Sequence, residues 1–226
     1  MATVQDLIVA AYAKSGKNKG QQIATEGTEL LKQFNRNLRG YFSVAARVNP
    51  LFFGKKATVA FGSGKWAYPA DVEALWRVET EGGEEVALVP LEDRQAEVSL
   101  PAVYYFAQAL YSAGNAEDPT SGNLVLFYSR QPTEASTVTS AIDTDWPVSF
   151  EELLVLDLAA MLATKDNRGD ELENVRTEWN RWFLLFAAHV EHANMAERRR
   201  FNLVRRFNSN TIGSLSQLVG SPAAAP

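Results

Sequence analysis

The stretch that most constrains this 226-residue chain is 149–202, which reads as two consecutive helices. From Phe150 the apolar residues are Phe150, Leu153, Leu154, Val155, Leu156, Leu158, Ala159, Ala160, Met161, Leu162 and Ala163, and Asp157 is the only charge among these core positions. A helix that is apolar on most sides must be covered by protein on most faces. The turn Asn167-Arg168-Gly169 follows. Beyond it Leu172, Val175, Trp179, Trp182, Phe183, Phe186, Val190 and Ala193 step by threes and fours, one stripe of a second helix. Asp170 with Glu173 has the spacing of a capping box at its start, and Arg198, Arg199 and Arg200 near its end suit the helix dipole. A short turn between two such helices implies an antiparallel pair, on which the rest of the chain packs.

Upstream, 3–14 reads as a short amphipathic helix with Val4, Leu7, Ile8 and Ala11 on one face and a Thr3–Asp6 capping pair. A longer helix begins between Gln21 and Thr28 and carries the stripe Ile23, Leu30, Leu31, Phe34, Leu38, Tyr41, Phe42 and Ala45. It stops at Asn49-Pro50, because a residue before proline avoids helical angles. From Lys56 the pattern changes to strands. Residues 57–61 and 66–68 flank Gly62-Ser63-Gly64, and 72–79 and 85–89 flank Gly82-Gly83, two hairpin signals. Residues 102–111 and 123–129 read as two aromatic-rich strands around a polar loop, and 131–145 as a Thr/Ser-rich connection. Segregated strands and helices imply an α+β fold.

Composition is ordinary for a globular chain, 46% hydrophobic and 22% charged, which argues against disorder of the whole. The absence of cysteine excludes disulfides, thiolate metal sites and cysteine nucleophiles, and fits a reducing compartment. The densest apolar run, 182–188, is too short to span a bilayer, and the amino terminus lacks the layout of a signal peptide. Net charge is −5 but uneven: 198–226 holds five arginines and no acid, while the preceding 197 residues hold 17 basic and 27 acidic side chains, giving −10. An acidic body with a basic tail is a statement about partners.

Each candidate for chemistry has a plainer structural reading. Gly62-Ser63-Gly64-Lys65-Trp66 has the wrong spacing for a phosphate loop and reads as a hairpin turn. His189 and His192, with Glu191 between them, lie one turn apart without further ligands and read as a structural pair. Glu151 and Glu152 suit a helix start, and Asp143 and Asp145 supply only part of a calcium loop. Asp157 is expected to pair with an arginine of the next helix, Arg176 or Arg181. No nucleophile elbow or catalytic triad order is present, so no catalytic residue, metal or cofactor is expected. The tail interleaves Phe201, Leu203, Val204 and Phe207 with Arg198, Arg199, Arg200, Arg205 and Arg206, and continues to Ile212, Leu215, Leu218 and Val219. Apolar anchors beside arginines suit a protein groove better than a duplex backbone. A nucleic-acid-binding module using the same basic segment is the alternative, with salt-dependent duplex binding as its signature.

The order of elements resembles the head-to-tail adaptor, or connector, family of tailed bacteriophages. The matching features are the opening Thr3-Val-Gln-Asp-Leu-Ile8 helix, the long helix around Leu30-Leu31-Lys-Gln-Phe34-Asn, and the strand block Tyr68-Pro-Ala-Asp-Val72-Glu-Ala-Leu-Trp-Arg-Val78-Glu. Val103-Tyr-Tyr-Phe106, Leu124-Val-Leu-Phe-Tyr128 and the apolar helix Phe150-Glu-Glu-Leu-Leu154 with its partner complete them, so the resemblance covers about residues 3–200. It implies a helical bundle formed by the N- and C-terminal helices (1–50 and 149–200), a central antiparallel β insertion (51–148) and an extended C-terminal arm (201–226). It also implies a homo-oligomeric ring, usually of twelve copies, in the virion neck. Such a ring, assembled in the host cytoplasm, binds the portal protein, extends the DNA channel without sequence-specific binding, seats a tail or nozzle protein, and touches no membrane. Arg198, Arg199, Arg200, Phe201, Leu203, Arg205, Arg206, Phe207, Ile212, Leu215 and Leu218 match the portal-docking arm in position and charge. The family brings no catalytic residues.

Overall fold

The computed structural model describes residues 2–16, 23–94, 100–114 and 118–193. The chain divides into two compact units, Met1–Asn49 with Thr133–Pro226, and Pro50–Pro132.

The first unit holds α1 (Val4–Lys14), α2 (Ile23–Val48), α3 (Glu151–Lys165) and α4 (Gly169–His192). Its centre is α3, on which Leu153, Leu154, Val155, Leu156, Leu158, Ala159, Leu162 and Ala163 are all buried, and which packs on the other three helices. Each buried leucine or valine contributes about 1.5–3 kcal/mol, which is why a helix this apolar takes the central position. The α2 stripe Leu30, Phe34, Leu38, Tyr41, Phe42 and Ala45 is buried, as its spacing predicts. Thr3 and Asp6 form a reciprocal capping box on α1. The capping box expected from Asp170 and Glu173 does not form: α4 starts two residues earlier than that box requires, at Gly169, and its N-cap Arg168 makes no side-chain cap. Asp170 and Glu171 instead lie in the first turn, where carboxylates favour the dipole.

Residues 133–146, expected within the β insertion, cluster with the helices. The backbone bonds Val4 N to Ser140 O (3.1 Å) and Gln5 N to Val138 O (2.7 Å) tie them to α1. Asn35 of α2 exchanges two bonds with the Ala135 backbone, at 2.9 and 3.0 Å. Buried Trp146 closes the segment, its ring 5.3 Å from that of Phe186. Within the stretch Ser140 Oγ accepts from Thr137 N at 3.1 Å, a local turn bond.

The second unit corrects the expected fold class. It is a closed barrel in the order β1-β2-β6-β5-β4-β3-β7, rather than an antiparallel insertion in a helical bundle. The strands are β1 (Gly54–Gly62), β2 (Lys65–Ala67), β3 (Val72–Thr80), β4 (Glu85–Val89), β5 (Ala102–Phe106), β6 (Ala109–Ser112) and β7 (Asn123–Arg130). The pair β4·β5 is parallel, with Leu88 opposite Val103. Closure comes from β7, which bonds to β1 on one side and to β3 on the other; register shifts between Val72 and Ala74 and between Leu75 and Arg77 bend β3. A closed barrel leaves no edge strand to protect. Its core is Trp66, Val78, Val86, Val103, Leu110, Leu124, Leu126 and Tyr128. The expected single strand over 102–111 is a hairpin: Ala107 and Gln108 take φ of 47° and 59° and turn the chain between Phe106 and Ala109. Neither residue is glycine or asparagine, so the turn carries no compositional signature. The stacked pair Tyr104–Tyr111, 5.5 Å between centroids, ties the two arms together.

Candidate interaction surfaces

The eleven arm residues Arg198, Arg199, Arg200, Phe201, Leu203, Arg205, Arg206, Phe207, Ile212, Leu215 and Leu218 lie outside the described residues.

Asp157 does not pair with an arginine. Arg176 and Arg181 are exposed, and the carboxylate instead accepts from Tyr41 Oη at 2.6 Å. Tyr41 Oη accepts in turn from Trp179 Nε1 at 3.0 Å. Burial pushes the Asp157 carboxyl up to about 6, against the opposing effect of the bonds from Tyr41 and Trp179. Burial and the neighbouring Asp157 also push the Tyr41 hydroxyl up. The heptad-like spacing of α2 and α4 placed both aromatic residues toward the core, and their polar tips supply the partners that an arginine was expected to give.

The other polar candidates hold structure. Asp143 is buried and accepts from Thr133 N (2.5 Å) and Asp145 N (2.9 Å), an arrangement that fastens a loop. Glu152 pairs with Lys14 at 2.5 Å, and Lys14 also meets Glu178 at 2.9 Å, joining α1, α3 and α4. The exposed His189 lies against Phe150, 5.1 Å between ring centroids. Among the described residues no group of three or more His, Asp or Glu is placed to hold a metal ion. Gly62, Ser63 and Gly64 form the β1–β2 turn, with Phe61 opposite Trp66. From sequence Asn49 reads only as the stop of α2. It is fully buried, and its Nδ2 donates to Val190 O (2.8 Å) and Ala193 O (2.9 Å), satisfying carbonyls at the end of α4.

Each unit also leaves a few large apolar side chains on its surface. On α4, Leu184 and Leu185 are 59% and 50% exposed, opposite buried Phe186, Ala187 and Val190. Val148, just before α3, is exposed as well. On the barrel, Tyr105 (45%) and Phe106 (52%) are exposed, with Leu88, Leu91 and Leu100. Adjacent aromatics in one strand point to opposite faces, so Val103-Tyr-Tyr-Phe106 already required an outward ring.

Strand register separates the two ends of the barrel. The pairs Val72↔Arg130, Val89↔Tyr104, Phe106↔Ala109 and Ala67↔Ala109 bring the end of β2, the start of β3 and the ends of β4 and β5 to one mouth. The opposite end carries the polar turns at Ser63-Gly64 and Glu81-Gly82-Gly83-Glu84. A cleft of about 550 Å³ opens at the first of these mouths, lined by Tyr68, Leu75, Tyr105, Glu73, Gln108 and Gln131 among others. The Tyr68 and Tyr105 rings lie 4.8 Å apart, and burial, followed by Tyr105, pushes the Tyr68 hydroxyl up. Such a cleft can hold apolar side chains between aromatic faces and offers one carboxylate to a cation. No protein-family profile matches the chain, and no characterised protein matches it in sequence.

Proposed function

We propose that this chain is a structural, non-enzymatic component of a tailed-phage neck, a ring-forming head-to-tail adaptor between the capsid portal and the tail. In this reading it binds the portal protein, extends the DNA channel and provides the surface on which a tail or nozzle protein seats. The supporting observation is how the side chains are divided. The buried polar groups Asn49, Asp118 and Asp143 bind backbone, Asp118 accepting from Ala102 N at 2.7 Å. Large apolar side chains on both units, Leu184 and Leu185 on one and Tyr105 and Phe106 on the other, are left for partners. The reading draws on segment order, charge and surface. The antiparallel insertion expected from sequence is replaced by the closed barrel and carries none of this support.

A ring suits this division of surface. Each copy meets two neighbours, and weak single-arm contacts with a portal multiply into strong avidity around the ring. The arm is 198–226, with its charge of +5, and the acidic remainder of the chain lets DNA pass without adhering. The test is removal of 198–226. The shortened protein stays folded and no longer attaches to portal-bearing heads; normal attachment by it rejects the arm.

A further inference from the structure

We propose that the cleft lined by Tyr68 and Tyr105, at one mouth of the barrel, is a binding site for an uncharged pyranose sugar. The assignment is independent of the adaptor reading. The cleft carries both chemistries that such a ring presents. Part of its lining is aromatic: the Tyr68 and Tyr105 rings lie 4.8 Å apart at 48°, close enough to touch, and Pro69 lines the cleft beside them. The C–H face of a pyranose packs on such rings, whose electron-rich faces attract its polarised hydrogens. The rest is polar, with Glu73, Gln108 and Gln131. Glu73 is partly buried, and neither its carboxylate nor the Gln108 amide takes a hydrogen bond or ion pair among the described residues. Gln131 makes one long side-chain bond, from Nε2 to Val72 O at 3.4 Å. A carboxylate accepts, and an amide both donates and accepts, which matches neighbouring hydroxyls that do both.

The same features turn other occupants away. Glu73 is the only charged side chain among the described residues that line the cleft, and the acidic pair Glu79↔Glu85 lies at the opposite end of the barrel. Charge therefore selects neither a polybasic nor a polyanionic partner. Two rings in contact make a platform, whereas an alkylated ammonium is held by rings standing around it. A proline-rich segment offers carbonyls but few N–H groups, and so leaves Glu73 without a donor. An added strand needs a free edge, which a closed barrel lacks. The backbone supplies a second observation. Ala107 and Gln108 turn the chain at φ of 47° and 59°, a conformation that Asn-Gly takes without strain. Gln108 O accepts from Tyr68 N at 3.2 Å, which fixes this turn beside the aromatic pair. The strained choice puts an amide in the cleft lining where glycine would put none, and strain of this kind is retained where a side chain is used.

The experiment titrates the full, isotope-labelled chain with maltotriose, cellotriose, chitotriose and mannotriose, and follows the side-chain amide signals of Gln108 and Gln131 by NMR. At least one of these sugars is expected to shift both signals, with a Kd of about 1 mM. Tyr105→Ala and, separately, Glu73→Gln each weaken that binding by about tenfold, and circular dichroism checks that both variants stay folded. Ala107→Asn combined with Gln108→Gly raises the melting temperature and weakens binding by about as much, a pairing that a purely structural turn does not show. The proposal is overturned if none of the sugars moves either signal at about 20 mM, the concentration at which a millimolar site is nearly filled. Equal shifts from choline or from a proline-rich decapeptide overturn it too, as does a double variant that binds like the parent.

Discussion

Tyr41 donates to Asp157 at 2.6 Å, joining α2 to α3 through a carboxylate that burial holds up at about 6 instead of 3.8. The native state therefore binds more protons than the unfolded chain between about pH 4 and 6, and this group's contribution to stability declines as pH rises through that window. The decline amounts to about 2–3 kcal/mol and is complete above it. Denaturant unfolding of the helical unit, followed by circular dichroism across that range, checks the slope. Asp157→Asn removes it and leaves the protein more stable than the parent at neutral pH. A slope unchanged in that variant contradicts the assignment.

Tyr41→Phe removes the hydroxyl that Asp157 and Trp179 share. It leaves a buried acceptor and a buried donor without their partner, at a cost of about 1–3 kcal/mol. It also removes a bond that lowers the Asp157 carboxyl, so the declining phase of the pH profile moves to higher pH. Both effects are read in the same titration.

Asn49→Ala frees the Val190 and Ala193 carbonyls at the end of α4. The expected loss is about 1–2 kcal/mol, the range for a lost helix cap. Hydrogen exchange is expected to rise in the last turns of α4 and to stay unchanged in the barrel.

Trp66 fills the centre of the barrel core, and its Nε1 donates to Gly122 O at 2.9 Å. Trp66→Ala leaves a cavity and removes one of the two hydrogen bonds to Gly122 O, the other coming from Phe61 N, and is expected to cost about 3–5 kcal/mol. Chemical unfolding followed by fluorescence of the remaining tryptophans measures it.

Leu184→Glu combined with Leu185→Glu places charge on an exposed apolar stripe of α4 without touching Phe186, Ala187 or Val190 beneath it. Folding stability is expected to change by less than about 0.5 kcal/mol, as for ordinary surface substitutions. Self-association in sedimentation velocity is expected to weaken by at least about tenfold if the stripe meets a neighbouring copy.

The helices were legible in the sequence because their cores are periodic: the α2 stripe from Leu30 to Ala45 and the nearly all-apolar α3 leave one arrangement that covers them. The Thr3–Asp6 cap and the Gly62-Ser63-Gly64 hairpin were legible for the same local reason. Barrel closure was not. It depends on β7 serving two neighbours and on a parallel β4·β5 pair, both non-local, and on a turn at Ala107-Gln108 that no turn residue announces. The partner of Asp157 was missed because charge pairing was expected where two aromatic polar tips suffice. The mouth cleft combines residues from the ends of several strands, so only register reveals it.

The most direct measurement is electron microscopy of the purified protein alone and mixed with portal-bearing heads. The adaptor reading expects closed rings seated at the portal vertex, present with the full chain and absent when residues 198–226 are removed. A protein that remains monomeric at high concentration and leaves the portal vertex bare would contradict it.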